Sequence, residues 1–359
     1  MSLCDWALRR ESAIDYWGLM RIVDALRRPL GHLRLSVIDK CNLRCQYCMP
    51  EEEYNWLRKS DILTFDEYRR LVEVFVGLGT DKIRLTGGEP LLRGGLTELV
   101  AMLVAIPGIR DLALTTNGVL LRKHARALRE AGLHRLTVSL DTLDADRFAK
   151  LSRRTSHSAV MDGIHAAVEE GFTQTKIDTV VMRGVNDDEL PALLEFGKTV
   201  DAEVRFIEYM DVGGATNWDG DLVFSRAEML AALTAVYGEI KEVPKLDNAP
   251  ADRFALPDGT VFGIISSTTA PFCATCDRSR LTADGMWYRC LYALTGTDLR
   301  EPLRSGATAE ELGELVAGVW RQRRDEGAVE RFKERRRTTF VSVQTLRNDP
   351  HLEMHTRGG

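Results

Sequence analysis

The sequence of 359 residues contains no long apolar run. Its longest apolar stretch, Leu99 to Ile106, is far shorter than the roughly 20 residues that a membrane-spanning helix needs. The first 30 residues carry charges throughout and lack the apolar core of a secretion signal. We therefore expect a cytoplasmic protein with no membrane partner, long enough to bury a sizeable core.

The chain also lacks a dominant charge. Its 48 Lys and Arg residues and 53 Asp and Glu residues give a formal net charge of −5, so no nucleic-acid partner is expected. An anionic substrate must therefore be attracted by a local group of cations. No internal repeat or low-complexity segment is evident in the sequence.

Cysteine is scarce, and its distribution is informative. Six of the seven cysteines form two tight groups, and Cys4 stands alone with no evident role. The groups are Cys41, Cys45 and Cys48, and Cys273, Cys276 and Cys290. In a chain without a secretion signal, such groups indicate metal ligands rather than disulfides.

Each cysteine group has three members. A closed structural zinc site takes four ligands, whereas a 4Fe-4S cluster held by three thiolates keeps one iron open for another ligand. Spacing alone leaves both possibilities open, because a remote fourth ligand would complete a zinc site.

From Leu33 onward, strand-like and helix-like segments alternate. Six strands are predicted, at Leu33–Ile38, Lys82–Leu85, Asp111–Leu114, Leu136–Leu140, Thr175–Val181 and Val204–Ile207. Helices are predicted to begin near Thr64, where a capping box starts, and to cover about Gly95–Ala105, Leu121–Ala131, Ser158–Glu170 and Asp187–Val200. This alternation predicts a parallel α/β sheet with right-handed crossovers.

The strands carry apolar residues on one face and polar or cationic residues on the other. In the first strand, Leu33 and Leu35 alternate with Arg34 and Ser36. A doubly wound sheet would be apolar on both faces, so we predict an incomplete (β/α)6 TIM-like barrel around a wet interior. Some of the charged residues would alternatively lie in solvent at strand ends.

We divide the chain at the point where this alternation ends. Residues 1–29 are predicted to be a polar lead-in, partly helical and partly disordered, 30–212 the partial barrel, and 213–359 a smaller α+β domain. A linker is predicted from Gly213 to Asp221, followed by helices at Ser225–Tyr237 and Ala307–Gln322 and a hairpin of Arg253–Leu256 with Val261–Ile265. We predict that the basic run Arg331–Arg337 is a solvated helix face without a functional role.

The residues around the first cysteine group resemble the radical S-adenosylmethionine (SAM) superfamily. Tyr47 completes its Cys-x-x-x-Cys-x-aromatic-Cys form, and the run Thr86–Pro90 after the second strand reads Thr-Gly-Gly-Glu-Pro. The resemblance implies that a 4Fe-4S cluster on this group chelates SAM and splits it to a 5′-deoxyadenosyl radical. It also implies that Tyr47, Gly88, Ser139 and Met210 bind SAM.

The second cysteine group narrows the resemblance. Cys273-Ala-Thr-Cys276-Asp-Arg278-Ser-Arg280, followed by Cys290 and a final Gly358-Gly359, is similar to the GTP 3′,8-cyclases of molybdenum cofactor biosynthesis. This similarity implies a second 4Fe-4S cluster, whose open iron holds guanine, and a Gly-Gly tail that reaches the active site. The radical would remove the ribose 3′ hydrogen of GTP. Carbon 3′ would then attack carbon 8 of guanine, and reduction would give the 3′,8-cyclo nucleotide.

The same resemblance assigns the residues that meet the substrate. Arg278 and Arg280 are expected to be catalytic. The contacts with GTP are expected from Arg34, Arg84, Thr115, Lys176, Arg278, Ser279 and Arg280, and strand alternation adds Lys82 on the same inward face. The chain departs from the family at Asp178, where an amide or neutral residue is more usual. Two outcomes are open: this carboxylate pairs with Lys176 and weakens its phosphate contact, or it lies too deep to matter. A triphosphate needs several charge-assisted donors, which this set supplies.

Two alternatives remain at this level: a peptide-modifying radical SAM enzyme, and a zinc-binding interaction protein without catalysis. The cyclase reading further implies a low-potential electron donor, product transfer to the downstream cyclic pyranopterin monophosphate synthase, and a possible homodimer.

Overall fold

The computed structural model describes residues 21–334 and 337–358, and in this part of the chain one mixed sheet forms the framework. Its twelve described strands are β1 His32–Ser36, β2 Lys82–Thr86, β3 Asp111–Thr116, β4 Arg135–Ser139, β5 Lys176–Val181, β6 Glu203–Glu208, β7 Lys241–Val243, β8 Asp252–Ala255, β9 Val261–Ile265, β10 Arg278–Leu281, β11 Met286–Tyr288 and β12 Thr297–Asp298. All six strands predicted from the sequence are present.

The order of the strands is β12-β11-β10-β1-β2-β3-β4-β5-β6-β9-β8-β7. Strands β1 to β6 are parallel and adjacent in chain order, as the alternation predicts. The later part of the chain extends both sides of this block, since β10 pairs in parallel with β1 and β9 pairs in parallel with β6. The segment that carries the second cysteine group is therefore hydrogen-bonded to the first strand.

Helices fill the connections. Those of the described residues are α1 Phe65–Gly77, α2 Leu96–Val104, α3 Leu121–Glu130, α4 Ala145–Ser152, α5 His157–Glu169, α6 Leu190–Thr199, α7 Arg226–Tyr237, α8 Arg300–Arg304, α9 Ala309–Arg321, α10 Gly327–Lys333, α11 Val343–Asn348 and α12 Met354–Arg357. The predicted capping box is present, because Thr64 and Glu67 exchange side-chain and backbone hydrogen bonds at the start of α1. In the described chain we find no helix with the length and apolarity required to cross a membrane.

The two faces of the central strands differ as their alternation predicts. Leu33 and Leu35 on β1, and Leu85 on β2, are fully buried in the core beneath the helices. Arg34 and Arg84, on the opposite face of the same strands, line a cavity. The polar face of the parallel strands is therefore the side on which a ligand site is built.

The segment predicted to be a linker is packed instead. Ala215 is fully buried and Trp218 is 8% exposed, so this part of Gly213–Asp221 is not a free connection. The backbone carbonyl of Gly213 accepts a hydrogen bond of 3.0 Å from the amide of Met354. The glycines and polar residues of this segment form a turn against which the C-terminal segment packs. The sequence pattern did not reveal this contact.

Candidate functional site

The first cysteine group lies on the loop that follows β1. All three of its thiols line a cavity of about 340 Å³, which we call the cysteine-side cavity. Burial raises the pKa of Cys41 to about 11, and burial together with the neighbouring thiols raises the pKa values of Cys45 and Cys48. Buried thiols of this kind are stabilised as thiolates when they bind a cationic centre.

The chemistry and placement of this trio fit an iron–sulfur cluster. In the described chain, no group of three or more Cys, His, Asp or Glu side chains is placed to hold a single metal ion. Thiolates are the usual ligands of 4Fe-4S clusters, and the adjoining cavity leaves space for a ligand on the open iron.

The Gly-Gly-Glu-Pro loop after β2 packs directly on the cysteine loop. The amide of Gly88 donates to the carbonyl of Ile38 at 2.8 Å, and that of Glu89 donates to the carbonyl of Lys40 at 2.8 Å. A Cβ atom on Gly88 would lie 2.4 Å from the carbonyl oxygen of Lys40, so only glycine allows this approach. The motif thus fixes the position of the loop that carries the thiols.

Glu89 holds the end of β3 and the residue that follows it, Asn117. Its fully buried carboxylate accepts hydrogen bonds from the Thr116 hydroxyl at 2.8 Å and from the amides of Asn117 and Leu91 at 2.8 and 2.9 Å. The Asn117 side chain in turn donates to the Cys41 Sγ atom at 3.8 Å. Burial outweighs these donors and raises the pKa of Glu89 to about 7.

We expect the Glu89→Gln variant to lose a pH dependence of stability. The pKa of this carboxyl rises from 4.5 to about 7 on folding, so folding takes up a proton between these values and stability falls as pH rises. The free energy of unfolding of the wild-type protein, relative to the variant, should therefore decrease by about 3 kcal/mol from pH 5 to pH 8. Urea denaturation at both pH values measures this difference; parallel pH profiles would contradict the assignment.

The residues expected to bind SAM are brought together. Tyr47, Gly88, Ser139 and Met210 all line the cysteine-side cavity. The Tyr47 hydroxyl donates to the Asp141 Oδ2 atom at 2.6 Å, and the Val180 amide donates to Asp141 Oδ1 at 2.9 Å. Asp141 was not selected from the sequence, although it follows Ser139 by two residues and so shares its side of the strand end.

Cations occupy the polar face beyond these residues. Arg34, Arg84, Arg278 and Arg280 line the same cavity. Burial lowers the pKa of Arg84 to about 10, and burial with repulsion from Arg278 lowers that of Arg280 to about 9. Because burial and mutual repulsion disfavour the charged form of these guanidinium groups, an anion that binds among them is strongly stabilised.

Thr115 contacts one of these arginines, Arg84. The Arg84 Nη1 atom donates to the hydroxyls of Thr115 and Thr137 at 3.0 and 2.8 Å. Both threonines therefore orient the guanidinium, which was expected to contact GTP.

The amino ends of the strands border a second cavity of about 930 Å³, which we call the basal cavity. Lys82 and Lys176 line this basal cavity, and Arg84 and Arg205 line both cavities. Burial and the nearby Arg205 and Arg135 lower the pKa of Lys176 to about 7. The cations thus form a continuous series from one cavity to the other.

Arg205 and Ser279 show where the sequence prediction was incomplete. Arg205 was missed, although it alternates with the buried Val204 and Phe206 on β6, which is the same signal that identified Arg34. Ser279 was expected to contact GTP, but it lines neither cavity. It pairs with Leu33, and along β10 it lies between Arg278 and Arg280. The structure does not bring the Ser279 side chain into the site.

The second cysteine group lies at the start of β10 and after β11, behind Arg278. The Arg278 Nη2 atom donates to the Cys276 Sγ atom at 3.4 Å. Burial alone would raise the pKa of Cys276, but Arg278 and Arg323 lower it to about 7. Cys273 and Cys290 are close enough for their charges to influence one another. Three grouped thiols near buried guanidinium ions again fit a cluster with a vacant ligand position.

Residues 21–29, which were assigned to a polar lead-in, hold this second cysteine group in place. Arg28 donates from Nη1 to the Cys273 carbonyl at 2.9 Å, and Arg323 donates from Nη1 to the Cys276 carbonyl at 2.8 Å. Asp24 lies between them, 2.6 Å from Arg28 Nε and 3.3 Å from Arg323 Nη1, and all three are buried. The rest of the predicted lead-in, with Cys4, lies outside the described residues.

The C-terminal segment enters the site, as the resemblance implies. The carbonyl of Gly358 accepts a hydrogen bond from Arg280, and a Cβ atom there would lie 1.9 Å from the Thr86 hydroxyl. Gly358 has φ of +73°, which also favours glycine. Arg357 anchors this path by donating to the Leu291 carbonyl at 2.7 Å and by covering the Tyr288 ring at 4.1 Å. Gly359 lies outside the described residues.

The prediction for the basic run Arg331–Arg337 was wrong at both ends. Asp211, which follows Met210 and is fully buried, accepts hydrogen bonds from Arg331 Nε at 2.7 Å and Arg337 Nε at 2.9 Å. The Tyr292 hydroxyl, two residues after Cys290, donates to the same carboxylate at 2.9 Å. These arginines are therefore internal ion-pair partners, and they join the segment after Cys290 to the turn that carries Met210.

Family comparisons agree with both halves of this site. A model described as the radical SAM superfamily matches residues 35–197, and one described as Molybdenum Cofactor Synthesis C matches residues 202–329. The structure of Streptococcus suis SuiB bound to S-adenosylmethionine superposes with a TM-score of 0.59 at 14% identity, covering 95% of this chain and 81% of that one. At this identity the likeness shows the fold alone. The chain is thus a radical SAM α/β protein with a parallel-rich sheet.

Curated relatives define the family within that class. GTP 3′,8-cyclase 1 of Mycobacterium tuberculosis is 59% identical over 344 residues, which cover 95% of this chain and 96% of that protein. The GTP 3′,8-cyclase of Staphylococcus haemolyticus is 41% identical over 321 residues, covering 88% and 94%. The chain belongs to the GTP 3′,8-cyclase family.

Proposed function

We propose that this protein converts GTP to (8S)-3′,8-cyclo-7,8-dihydroguanosine 5′-triphosphate, the first step of molybdenum cofactor biosynthesis. The observation that carries the proposal is the group of cations on the cysteine-side cavity, one of which, Arg278, also contacts Cys276 of the second cysteine group. This group comprises Arg34, Arg84, Arg278 and Arg280. Such a group matches a triphosphate in charge and in donor geometry.

Two 4Fe-4S clusters and SAM are the cofactors that this proposal requires. Cys41, Cys45 and Cys48 would hold the first cluster, and Cys273, Cys276 and Cys290 the second. With SAM, the first cluster supplies the 5′-deoxyadenosyl radical when bound. Tyr47, Gly88, Ser139 and Met210 would enclose SAM, because they line the cavity beside the first cysteine group.

The remaining side chains would position the substrate. Arg84, held by Thr115 and Thr137, and Arg205 would bind phosphate oxygens, while Lys82 and Lys176 would attract the triphosphate from the basal cavity. Arg278 and Arg280 would fix the nucleotide near the second cysteine group. Gly358 would close the cavity beside Thr86 and limit access of water to a reactive radical.

Anaerobic incubation with GTP, SAM and dithionite tests the function. We expect mass spectrometry to detect 5′-deoxyadenosine together with a GTP-derived cyclic nucleotide. Formation of 5′-deoxyadenosine without any nucleotide product would reject GTP as the substrate.

We expect Arg278→Ala to raise the GTP concentration needed for half-maximal turnover by about tenfold or more, because it removes a charged hydrogen-bond donor from a buried anion site. Cleavage of SAM without cyclisation should remain measurable, since Arg278 is not among the residues expected to bind SAM and donates to Cys276 of the second cysteine group. Arg122→Ala, which removes an arginine paired on the surface, is the control. Unchanged GTP affinity in the Arg278 variant would exclude its role in phosphate binding.

Several expectations stay predictions. They are the barrel-like curvature of β1 to β6, the division into domains, the low-potential electron donor, the cytoplasmic location, the homodimer and product transfer to a cyclic pyranopterin monophosphate synthase. The peptide-modifying alternative is less favoured. SuiB, which was also solved bound to the precursor peptide SuiA, is only 14% identical to this chain, against 59% identity to a GTP 3′,8-cyclase.

A further inference from the structure

Asp178 is the residue at which the chain departs from its family, and it lies at the centre of the site. It occupies β5, paired in register with Ser139 on β4 and with Arg205 on β6. All three line the cysteine-side cavity. Asp178 therefore stands between the side expected to bind SAM and the side that carries the cations.

The carboxylate of Asp178 is available to a ligand. Its Oδ1 atom is buried and has no hydrogen-bond partner within the described chain. The Lys176 Nζ atom lies 3.5 Å from the Gln174 carbonyl instead, and among the described residues no ion pair joins it to Asp178, so the pairing considered from the sequence is not formed. Burial raises the pKa of Asp178, and the charges of Arg205 and Arg84 act in the opposite direction, toward the ionised form.

A buried carboxylate oxygen without a donor is costly unless a ligand supplies one. A triphosphate offers no donor at neutral pH and is repelled by a carboxylate, which makes phosphate the wrong partner. Ribose hydroxyl groups are donors, and both GTP and SAM carry a pair of them. The position of Asp178, between the two ligand sites, is where these sugars would meet.

We propose that Asp178 accepts a hydrogen bond from a ribose hydroxyl group and thereby selects ribonucleotides over deoxyribonucleotides. This inference rests on the proposed function, since it requires GTP and SAM as the ligands. An ionised carboxyl makes this contact charge-assisted, and losing such a contact inside a buried site costs more than losing a neutral one. Asp178 is a specificity residue in this view, and the charges of Arg205 and Arg84 offset part of the cost of burying it.

Equilibrium binding provides the test. Wild-type, Asp178→Ala and Asp178→Asn proteins, purified anaerobically with their clusters, are titrated with GTP, 2′-deoxy-GTP and 3′-deoxy-GTP. A second arm compares S-adenosylhomocysteine with its 2′-deoxy and 3′-deoxy analogues. Removing a carboxylate also strengthens the cationic field, but this effect acts equally on a nucleotide and its deoxy analogue. The ratio of their dissociation constants therefore isolates the hydroxyl contact.

Glu203→Ala is the matched control. It removes a carboxylate near the same cations, where Glu203 accepts a hydrogen bond of 2.7 Å from Arg205 Nε, but it lines the basal cavity rather than the cysteine-side cavity. The ratio should stay as in the wild-type protein in this variant. Circular dichroism and iron content check that each variant retains its fold and clusters.

We expect the wild-type protein to prefer the ribose form of one ligand by about tenfold or more, and Asp178→Ala to reduce that ratio to about one. Asp178→Asn should give an intermediate ratio, because its amide oxygen still accepts a hydrogen bond. The arm that responds identifies whether the sugar belongs to GTP or to SAM. Ratios in both arms that are unchanged in Asp178→Ala would overturn the inference while leaving GTP binding, and so the proposed function, intact. Failure of the wild-type protein to bind GTP would instead reject the proposed function, and the inference with it.

Discussion

Replacing Cys290 with alanine should remove the GTP-derived product while leaving cleavage of SAM intact. Cys290 belongs to the group behind Arg278, and none of that group lines the cysteine-side cavity, where the first group and the residues expected to bind SAM lie. The two cysteine groups are therefore expected to perform separable tasks. Iron content should fall from about eight to about four per chain, the value for one remaining cubane.

The matched variant is Cys45→Ala in the first group. It should also retain about four irons, but it should lose both 5′-deoxyadenosine and the cyclic nucleotide, because the residues expected to bind SAM share a cavity with the first cysteine group and not with the second. Iron analysis, electron paramagnetic resonance and mass spectrometry on both variants distinguish the two tasks. If Cys290→Ala abolished 5′-deoxyadenosine as completely as Cys45→Ala, the separation of tasks would be wrong.

Replacing Asp211 with alanine should lower the free energy of unfolding by about 3–5 kcal/mol. The side chain is fully buried and receives Arg331, Arg337 and the Tyr292 hydroxyl. Its removal leaves two guanidinium ions in the interior without their common counter-ion. Since Asp211 follows Met210, we also expect weaker SAM binding in this variant.

Urea denaturation under anaerobic conditions measures the loss of stability. Asp162→Ala is the control, because it breaks an ion pair with Arg122 in which the two side chains are 55% and 41% exposed. Exposed pairs contribute at most about 1 kcal/mol, so the control should change stability little. A loss in Asp211→Ala no larger than in the control would show that the buried network does not stabilise the fold.

The sequence alone predicted the features that depend on local pattern. Alternation identified β1 to β6 and placed Arg34 and Arg84 on the face that lines the cavity, because side-chain direction in a strand follows from parity alone. The spacing of the cysteines and glycines identified the loops around the first cysteine group. Arg205 follows the same alternation on β6, so the same rule applied to that strand identifies it.

The features that the sequence did not reveal depend on distant contacts. The pairing of β10 with β1 joins residues such as Leu33 and Ser279, and no local pattern specifies such a partner. The basic composition of Arg331–Arg337 suggested solvent, but burial there depends on one carboxylate at Asp211, far away in the chain. Asp24 and Arg28 were assigned to a polar lead-in for the same reason, since ion-pair partners neutralise buried charges that composition counts as exposed.

The strand order has a consequence for how the chain is made. A ribosome delivers β1 to β6 well before β9 and β10, so the parallel block first exists with both of its lateral strands lacking their final neighbours. Unsatisfied strand edges favour association with other chains, and pairing over such sequence separations is slow. We therefore expect a fragment ending near residue 212 to aggregate rather than fold, and the intact chain to benefit from chaperones during synthesis. The two regions matched by separate family models would then be units of evolution, but not units of folding.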